Sequence, residues 1–526
     1  MSTFTGALAA PHALATDAGM AAFAEGGSAV DAAISAAAVL TVVYPHNVAL
    51  GGDLIALVRT PDGMVRCVNA SGWSGRRSTA AGMRSRHGAA LPLRGADSVT
   101  VPGAVRGWEV LRGLGARLPW SQNLERAQRV AEGGVPVAPS LARHIADPEN
   151  ADLAEVQDYC RVFRPGGRAL TTEDVLVQPE LAATLAALRH DGPDAFYTGG
   201  PADSMVGYLR RCGSCLTAED FADYVPDVVE PLSARFGDLT VFTSPPNTHG
   251  FLMLRALRAI EDLRLRHPLT ADIGTLMRIF LQGNRLRSTY LADPRHIGVD
   301  SAALVNDALG ELGVTEPVPG PVLVPKGDTV GIAVADSDGY AVSLIQSVYH
   351  AFGSGLIDPA TGVLFHNRGT SFSLAAESPN VLAPRKRPAH TLMPAITTHD
   401  GTLRHVLATM GGQGQPQILT QVLLRAVEGA SAAVAVSDPR AIVGSQADGD
   451  TPDTVTVEAE LCDQGRDALR RSGLAVREVP QHTESMGQSN VVFIAGDDMA
   501  AASDPRSDGA GMVAHFPRRP RRWATP

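Results

Sequence analysis

Gly327-Asp328-Thr329-Val330-Gly331-Ile332-Ala333-Val334-Ala335-Asp336, a Ser337-Asp338-Gly339 turn and the run 340–347 together read as a β-hairpin. Directly before it, residues 317–326 (PVPGPVLVPK) hold four prolines, which rule out regular structure and predict an exposed, extended connector. A threonine therefore opens a strand straight after that connector. Threonine is a good strand residue, so the position alone carries no chemistry.

The same texture extends outward. A second hairpin is expected from residues 391–398, the turn His399-Asp400-Gly401 and residues 403–409. It ends in Met410-Gly411-Gly412-Gln413-Gly414, and a helix runs on from about 416 to 429. Near the start, Gly26-Gly27-Ser28 supplies a break and a cap for a helix over 29–43, whose small apolar residues suit packing flat on a sheet. Strands follow at 54–58 and 64–68 around Pro61-Asp62-Gly63. From 102 to about 269 the pattern is helical, for example at 104–114, 124–132 and 179–190. This order predicts stacked antiparallel sheets with helices on both outer faces.

Bulk properties narrow the function class. With 526 residues the chain has room for two ordinary domains or one large two-layered core. A formal net charge of -10 argues against nucleic acid as a partner, and the basic stretches Arg385-Lys386-Arg387 and 518–522 read as solvated surface. Lysine occurs only at Lys326 and Lys386, which with the Ala and Gly excess points to GC-rich coding bias. The start of the chain lacks a signal-peptide pattern, and the apolar run 29–44 is too short to span a bilayer comfortably. Five cysteines fit a reducing compartment, so a cytoplasmic location without a membrane partner is expected. Cys212-Gly213-Ser214-Cys215 has CxxC spacing, but no second Cys/His pair stands near it to complete a metal site.

Several blocks carry a family resemblance. The run 327–336 with Ala341-Val342-Ser343 and Phe352-Gly353-Ser354-Gly355 resembles the start of the small subunit of gamma-glutamyltransferases. Gly26-Gly27-Ser28-Ala29-Val30-Asp31-Ala32-Ala33, Pro45-His46-Asn47 and Gly51-Gly52-Asp53 resemble the amino-terminal signature of that family. Thr409-Met410-Gly411-Gly412 and Ala502-Ser503-Asp504-Pro505-Arg506-Ser507-Asp508-Gly509 resemble its later blocks. The resemblance implies an α+β fold, the four-layer αββα sandwich of N-terminal-nucleophile hydrolases. It also implies a precursor cut between Asp328 and Thr329 into a large subunit, 1–328, and a small one, 329–526, which stay one folded unit.

The implied chemistry is acyl transfer from a small-molecule substrate, with no cofactor and no metal. A threonine hydroxyl needs a neighbouring base, and cleavage would free the α-amino group of Thr329, whose ordinary pKa near ~7.7–8 suits that work. By the same resemblance, Gly411 and Gly412 offer backbone N–H groups to the oxyanion, and Ser347 offers a hydroxyl to the nucleophile's amino group.

The substrate end departs from the family. Trp73 stands where the clamping arginine belongs, Ser371 where the acid belongs, His390 and Thr391 where paired serines belong, and Tyr349 where an asparagine belongs. Losing a bidentate guanidinium is not conservative. The expected substrate is therefore not glutathione but a less charged or ring-bearing compound. An amide, or a carbon–carbon bond as in family members of actinobacterial alkylproline-type antibiotic assembly, fits that expectation. Two alternatives stay open: an ordinary glutathione hydrolase clamped by Arg76 or Arg77, and an unprocessed homologue that only binds a ligand or partner.

Overall fold

The computed structural model describes residues 3–296, 298, 300–306, 328–447 and 449–517. The connector expected at 317–326 and the basic stretch 518–522 lie outside the described residues. In chain order the strands are β1 (Thr3–Ala10), β2 (Asp53–Arg59), β3 (Val65–Ala70), β4 (Val135–Pro136), β5 (Val175–Leu176) and β6 (Asp227–Val229). They continue as β7 (Leu232–Phe236), β8 (Leu239–Thr243), β9 (Asp328–Asp336), β10 (Ala341–Tyr349), β11 (Ala395–His399) and β12 (Thr402–Met410). The last are β13 (Ala441–Val443), β14 (Val455–Glu458), β15 (Val476–Val479), β16 (Gln488–Ala495), β17 (Asp498–Ser503) and β18 (Ala510–Pro517).

Two sheets make the centre of the fold. One has seven strands in the order β18-β1-β9-β10-β2-β3-β6, the other six in the order β17-β16-β12-β11-β8-β7. All pairings within both are antiparallel. Helices Ala13–Ala24, Ala29–Val43 and Ala104–Gly113 cover the first sheet, and Phe251–Asp262, Gln415–Val427 and Ala432–Ser437 cover the second. This is the expected four-layer αββα sandwich. Among the described residues no helix is long and apolar enough to cross a membrane.

Period-two alternation divides each central strand between two cores. Val330, Ile332 and Val334 of β9 pack toward the helices, whereas Ala333 and Ala335 pack between the sheets with Ile345, Val406 and Ala408. Small residues let the sheets approach closely at β9. A Cβ on Gly331 would stand 2.7 Å from the Thr409 nitrogen, so glycine is required there. Helix Ala29–Val43 is buried along its whole length and opens with the anticipated cap, Ser28, completed as a capping box by Asp31.

Two readings need correction. The stretch 102–269 is not helical throughout, because β6, β7 and β8 occupy 227–243. Leu232–Phe236, at the sheet edge, buries only Phe236 and half-buries Leu232 and Ala234, and five residues of that pattern are easily lost between strong helical signals. The second hairpin starts at Ala395 rather than 391: Pro394 cannot donate to a ladder, and its carbonyl instead accepts from Thr243 Oγ1 at 2.9 Å.

Candidate active site

Thr329 has the same parity as Gly331, Ala333 and Ala335, so its side chain faces the gap between the sheets. It is 1% exposed, and its Oγ1 donates to Ser347 Oγ at 3.0 Å across the β9–β10 pair. Ser347 Oγ also accepts the Tyr349 N–H at 2.8 Å. The ladder shifts register between Gln346 and Tyr349, and Tyr349 sits opposite Asp328 with φ at 82°. A bulky residue held in the left-handed region stores strain of about 1–3 kcal/mol. From the segment that precedes β2, Asn47 Nδ2 donates to the Thr329 carbonyl at 3.4 Å.

Strand β12 runs along β9 and ends at the two candidate oxyanion glycines. Gly411 has φ 146° and Gly412 φ 51°, and a Cβ on Gly411 would stand 2.3 Å from Ile418 Cδ1. Glycine at 411 is thus enforced by backbone shape and by space. Behind this turn, Arg287 donates to the Gln413 carbonyl at 3.2 Å and to the Gln413 side-chain oxygen.

A buried polar cluster adjoins the threonine. Asp53 lies opposite Ser347 in β2, and its Oδ1 accepts the Gly72 N–H at 2.8 Å. Its Oδ2 is 3.1 Å from His390 Nε2 and 3.3 Å from His366 Nδ1. Burial alone would raise the Asp53 carboxyl, but His366 and His390 outweigh it and hold it well below the usual carboxylate range. Burial, reinforced by Arg368, pushes His390 down to about 3. His390 is therefore neutral: Nδ1 accepts the Leu392 N–H at 3.3 Å, and Nε2–H donates to Asp53. Arg368 stands 3.7 Å over the Tyr349 ring, and both its Nη atoms donate to Thr391 Oγ1, at 3.3 and 3.4 Å.

The predicted residues divide accordingly. Thr329, Ser347, Tyr349, His390 and Thr391 join one contact network with Asp53 and Arg368. Ser371 ends the short turn Arg368–Ser371, where its carbonyl accepts from Asn380 Nδ2 at 2.6 Å. Trp73 follows Gly72, but its ring packs edge-on to Tyr224 at 5.1 Å, with the guanidinium groups of Arg295, Arg385 and Arg387 5.6–5.9 Å from its centre. The substitute clamp Arg76 is tied to Asp220 at 3.3 Å and to Asp223 at 2.6 Å. Asp53, His366 and Arg368 carry no role in the sequence pattern and emerge only in the fold. The available signals are Asp53 directly after Gly51-Gly52, and His366 and Arg368 beside the position where the acid is expected.

One group among the described residues, His46, His144 and Glu484, brings potential metal ligands within 4.8 Å of one another. Ser140 Oγ already bridges it, 3.0 Å from His46 Nε2 and 2.6 Å from Glu484 Oε1, so hydrogen bonding accounts for the cluster.

Comparisons with known proteins agree with this geometry. The family model for gamma-glutamyltranspeptidase matches residues 15–514. The chain is 34% identical over 515 residues to the glutathione hydrolase-like YwrD proenzyme of Bacillus subtilis (strain 168), covering 95% of this chain and 97% of that protein. It is 35% identical over 523 residues to the oxamate amidohydrolase proenzyme of Klebsiella pneumoniae, covering 96% and 98%. The crystal structure of cephalosporin acylase from Bacillus halodurans matches with a TM-score of 0.88 at 31% identity, covering 98% of this chain and 96% of that one. A nearly chain-long family match, on a fold that sets a threonine hydroxyl beside a serine between two stacked sheets, means that this chain belongs to the gamma-glutamyltranspeptidase family.

Proposed function

We propose that the chain is a precursor that cuts itself between Asp328 and Thr329 and then acts as an amide hydrolase or acyltransferase through an ester on Thr329. The observation that carries this reading is the buried Thr329 Oγ1–Ser347 Oγ hydrogen bond, 3.0 Å long, at the head of β9. In the precursor Thr329 Oγ would attack the Asp328 carbonyl carbon, the C–N bond would break, and water would then split the resulting ester. The freed α-amino group would serve as base for the next attack, on substrate, since an ordinary α-amino pKa near ~7.7–8 suits that task. The N–H groups of Gly411 and Gly412 would stabilise the oxyanion, each worth ~3–4 kcal/mol. The products are a large subunit, 1–328, and a small subunit, 329–526.

The substrate we propose is not a gamma-glutamyl compound. Trp73 replaces the arginine clamp, Arg76 is held by two aspartates, and Ser371 cannot pair with an ammonium. Two similar proteins are named as an oxamate amidohydrolase and a cephalosporin acylase rather than as glutathione hydrolases, which supports a rebuilt pocket on a retained nucleophile. Intact mass of the protein beside a Thr329→Ala variant tests the first part. Two fragments meeting at Asp328/Thr329 and an uncut variant are expected; a parent that stays whole refutes the mechanism. Turnover of gamma-glutamyl-p-nitroanilide at rates ordinary for the family would refute the second part.

A further inference from the structure

A cavity of about 210 Å³ lies on the helix side of the seven-stranded sheet, lined among others by Leu50, Phe163, Val177, Leu181, Ile357 and Leu364. All of these but Val177 are buried members of the core that also holds Val330, Ile332 and Val334 of β9. Thr329 has the opposite parity on that strand, so the cavity and the candidate nucleophile stand on opposite faces of the sheet.

The walls come from both sides of Asp328. The end of helix Ala29–Val43, the end of helix Gln157–Phe163 and the start of helix Pro179–Asp191 precede it, and the loop 357–364 follows it. That loop is pinned to the helices. Thr184 Oγ1 donates to the Thr361 carbonyl at 2.7 Å, and Arg161 Nη2 donates to the Pro359 carbonyl at 3.4 Å. The cavity is therefore framed by anchored elements.

Wall chemistry selects the occupant. Thr41 Oγ1 donates to the Ala38 carbonyl at 2.7 Å and Gln178 Nε2 to the Val42 carbonyl at 2.8 Å, so both donors are already used. Arg161 pairs with Glu180 at 2.5 Å, which balances the two charges in the lining against each other. Glu180 also occupies the first turn of its helix, where its carboxylate already answers the positive end. What remains is apolar surface with one aromatic ring, Phe163. Val177 lines the cavity and is 50% exposed, so the entrance is apolar as well. A charged molecule entering here would lose hydration without gaining a partner.

We infer that this cavity is a ligand site for an uncharged apolar molecule of one aromatic ring. A space of about 150 Å³ bounded by Leu, Ile and Phe is enough for benzene, so the volume here suits one ring with a small substituent. No step of the inference uses the nucleophile, and it stands apart from the Thr329 reading.

The test is calorimetric titration of the purified protein with toluene, benzoate and benzylamine, which share a ring and differ in charge. Toluene should bind at least roughly tenfold more tightly than either ion. Val177→Phe and, independently, Val162→Phe fill the cavity from partly exposed positions of its lining. Each should weaken toluene binding at least roughly tenfold. In a crystal soaked with bromobenzene, the halogenated ring should lie among Phe163, Leu181 and Leu364. The inference is overturned if the parent does not bind toluene, a result that requires no variant to fold, or if benzoate or benzylamine binds as tightly. It is also overturned if bromobenzene occupies only the gap beside Thr329, or if a folded filled variant keeps the parental affinity for toluene.

Discussion

Thr329 Oγ1 and Ser347 Oγ lie 3.0 Å apart, on residues of neighbouring strands that point into the same gap between sheets. Before any cleavage Thr329 has no free amine, so the serine oxygen is the acceptor that aligns its hydroxyl. Ser347 is itself fixed by the Tyr349 N–H at 2.8 Å, which makes the pair a positioned unit rather than two mobile hydroxyls.

From this pair we expect Ser347→Ala to slow self-cleavage by roughly ten- to a hundredfold, the equivalent of about 1.5–3 kcal/mol for one well-placed hydrogen bond. The time course of the two fragments on a denaturing gel measures it. A Ser347→Ala chain that matures at the parental rate would remove the serine from the mechanism, while Thr329→Ser, which keeps a hydroxyl, should still mature.

Cleavage should not separate the pieces. The seven-stranded sheet interleaves β1, β2, β3 and β6 from one side of Asp328 with β9, β10 and β18 from the other. In the six-stranded sheet, β8 from the large side pairs with β11 from the small side over residues 239–243. Pulling the subunits apart would expose both inner cores, so co-elution as one species in native size exclusion is expected. Elution of a free 1–328 fragment without denaturant would contradict the interleaved sheets.

How much of this could be read in the sequence depended on local signal. Helix Ala29–Val43 and the hairpin of β9 and β10 were legible because a cap, a turn and an apolar period coincide within a few residues. Strand β1, an inner strand beside the edge strand β18, carries no such signal, since TFTGALAA is rich in residues of low strand propensity and its place comes from pairing with distant β9 and β18. The nucleophile was visible through its neighbours in sequence. Arg368 was not, because its contacts with Tyr349 and Thr391 exist only after folding.

Acid should destabilise the fold ahead of ordinary carboxylate titration. Burial, helped by nearby arginines, pushes His350 and His390 down to about 3 and His405 down to about 4. In the unfolded chain each would titrate near about 6.5, so between those values the unfolded state binds more protons and stability falls as pH falls. Each histidine contributes about 1.4 kcal/mol per pH unit within its window. Asp336, which burial raises to about 6, opposes with a single proton and leaves the net direction unchanged. A Tm falling steeply below about pH 6.5 is expected, and less steeply in His405→Gln. A flat profile, or an equal slope in that variant, would count against buried neutral histidines.

The block 502–509, which resembles a family block, holds a buried charge network. Asp504 accepts Arg506 Nη1 at 2.9 Å, the Ser489 N–H at 2.9 Å and Arg440 Nη2, and Glu458 accepts Arg506 Nε at 2.8 Å. All four charged side chains are completely buried, and two arginines balance two acids. Arg440 Nη1 also donates to the carbonyls of Met486 and Gly487, at 3.1 and 2.7 Å, and a Cβ on Gly487 would stand 2.8 Å from the Met410 carbonyl beside the oxyanion turn. Asp504→Asn keeps the shape but leaves one buried guanidinium charge unbalanced, which should cost about 3–5 kcal/mol in urea unfolding. Arg129→Ala, which breaks an exposed helical pair with Glu125, should cost no more than about 0.5 kcal/mol. Because the same network braces the glycine turn, Asp504→Asn should also slow self-cleavage in protein that remains folded. A variant as stable as the parent would mean that the buried charges are not paired as the geometry shows.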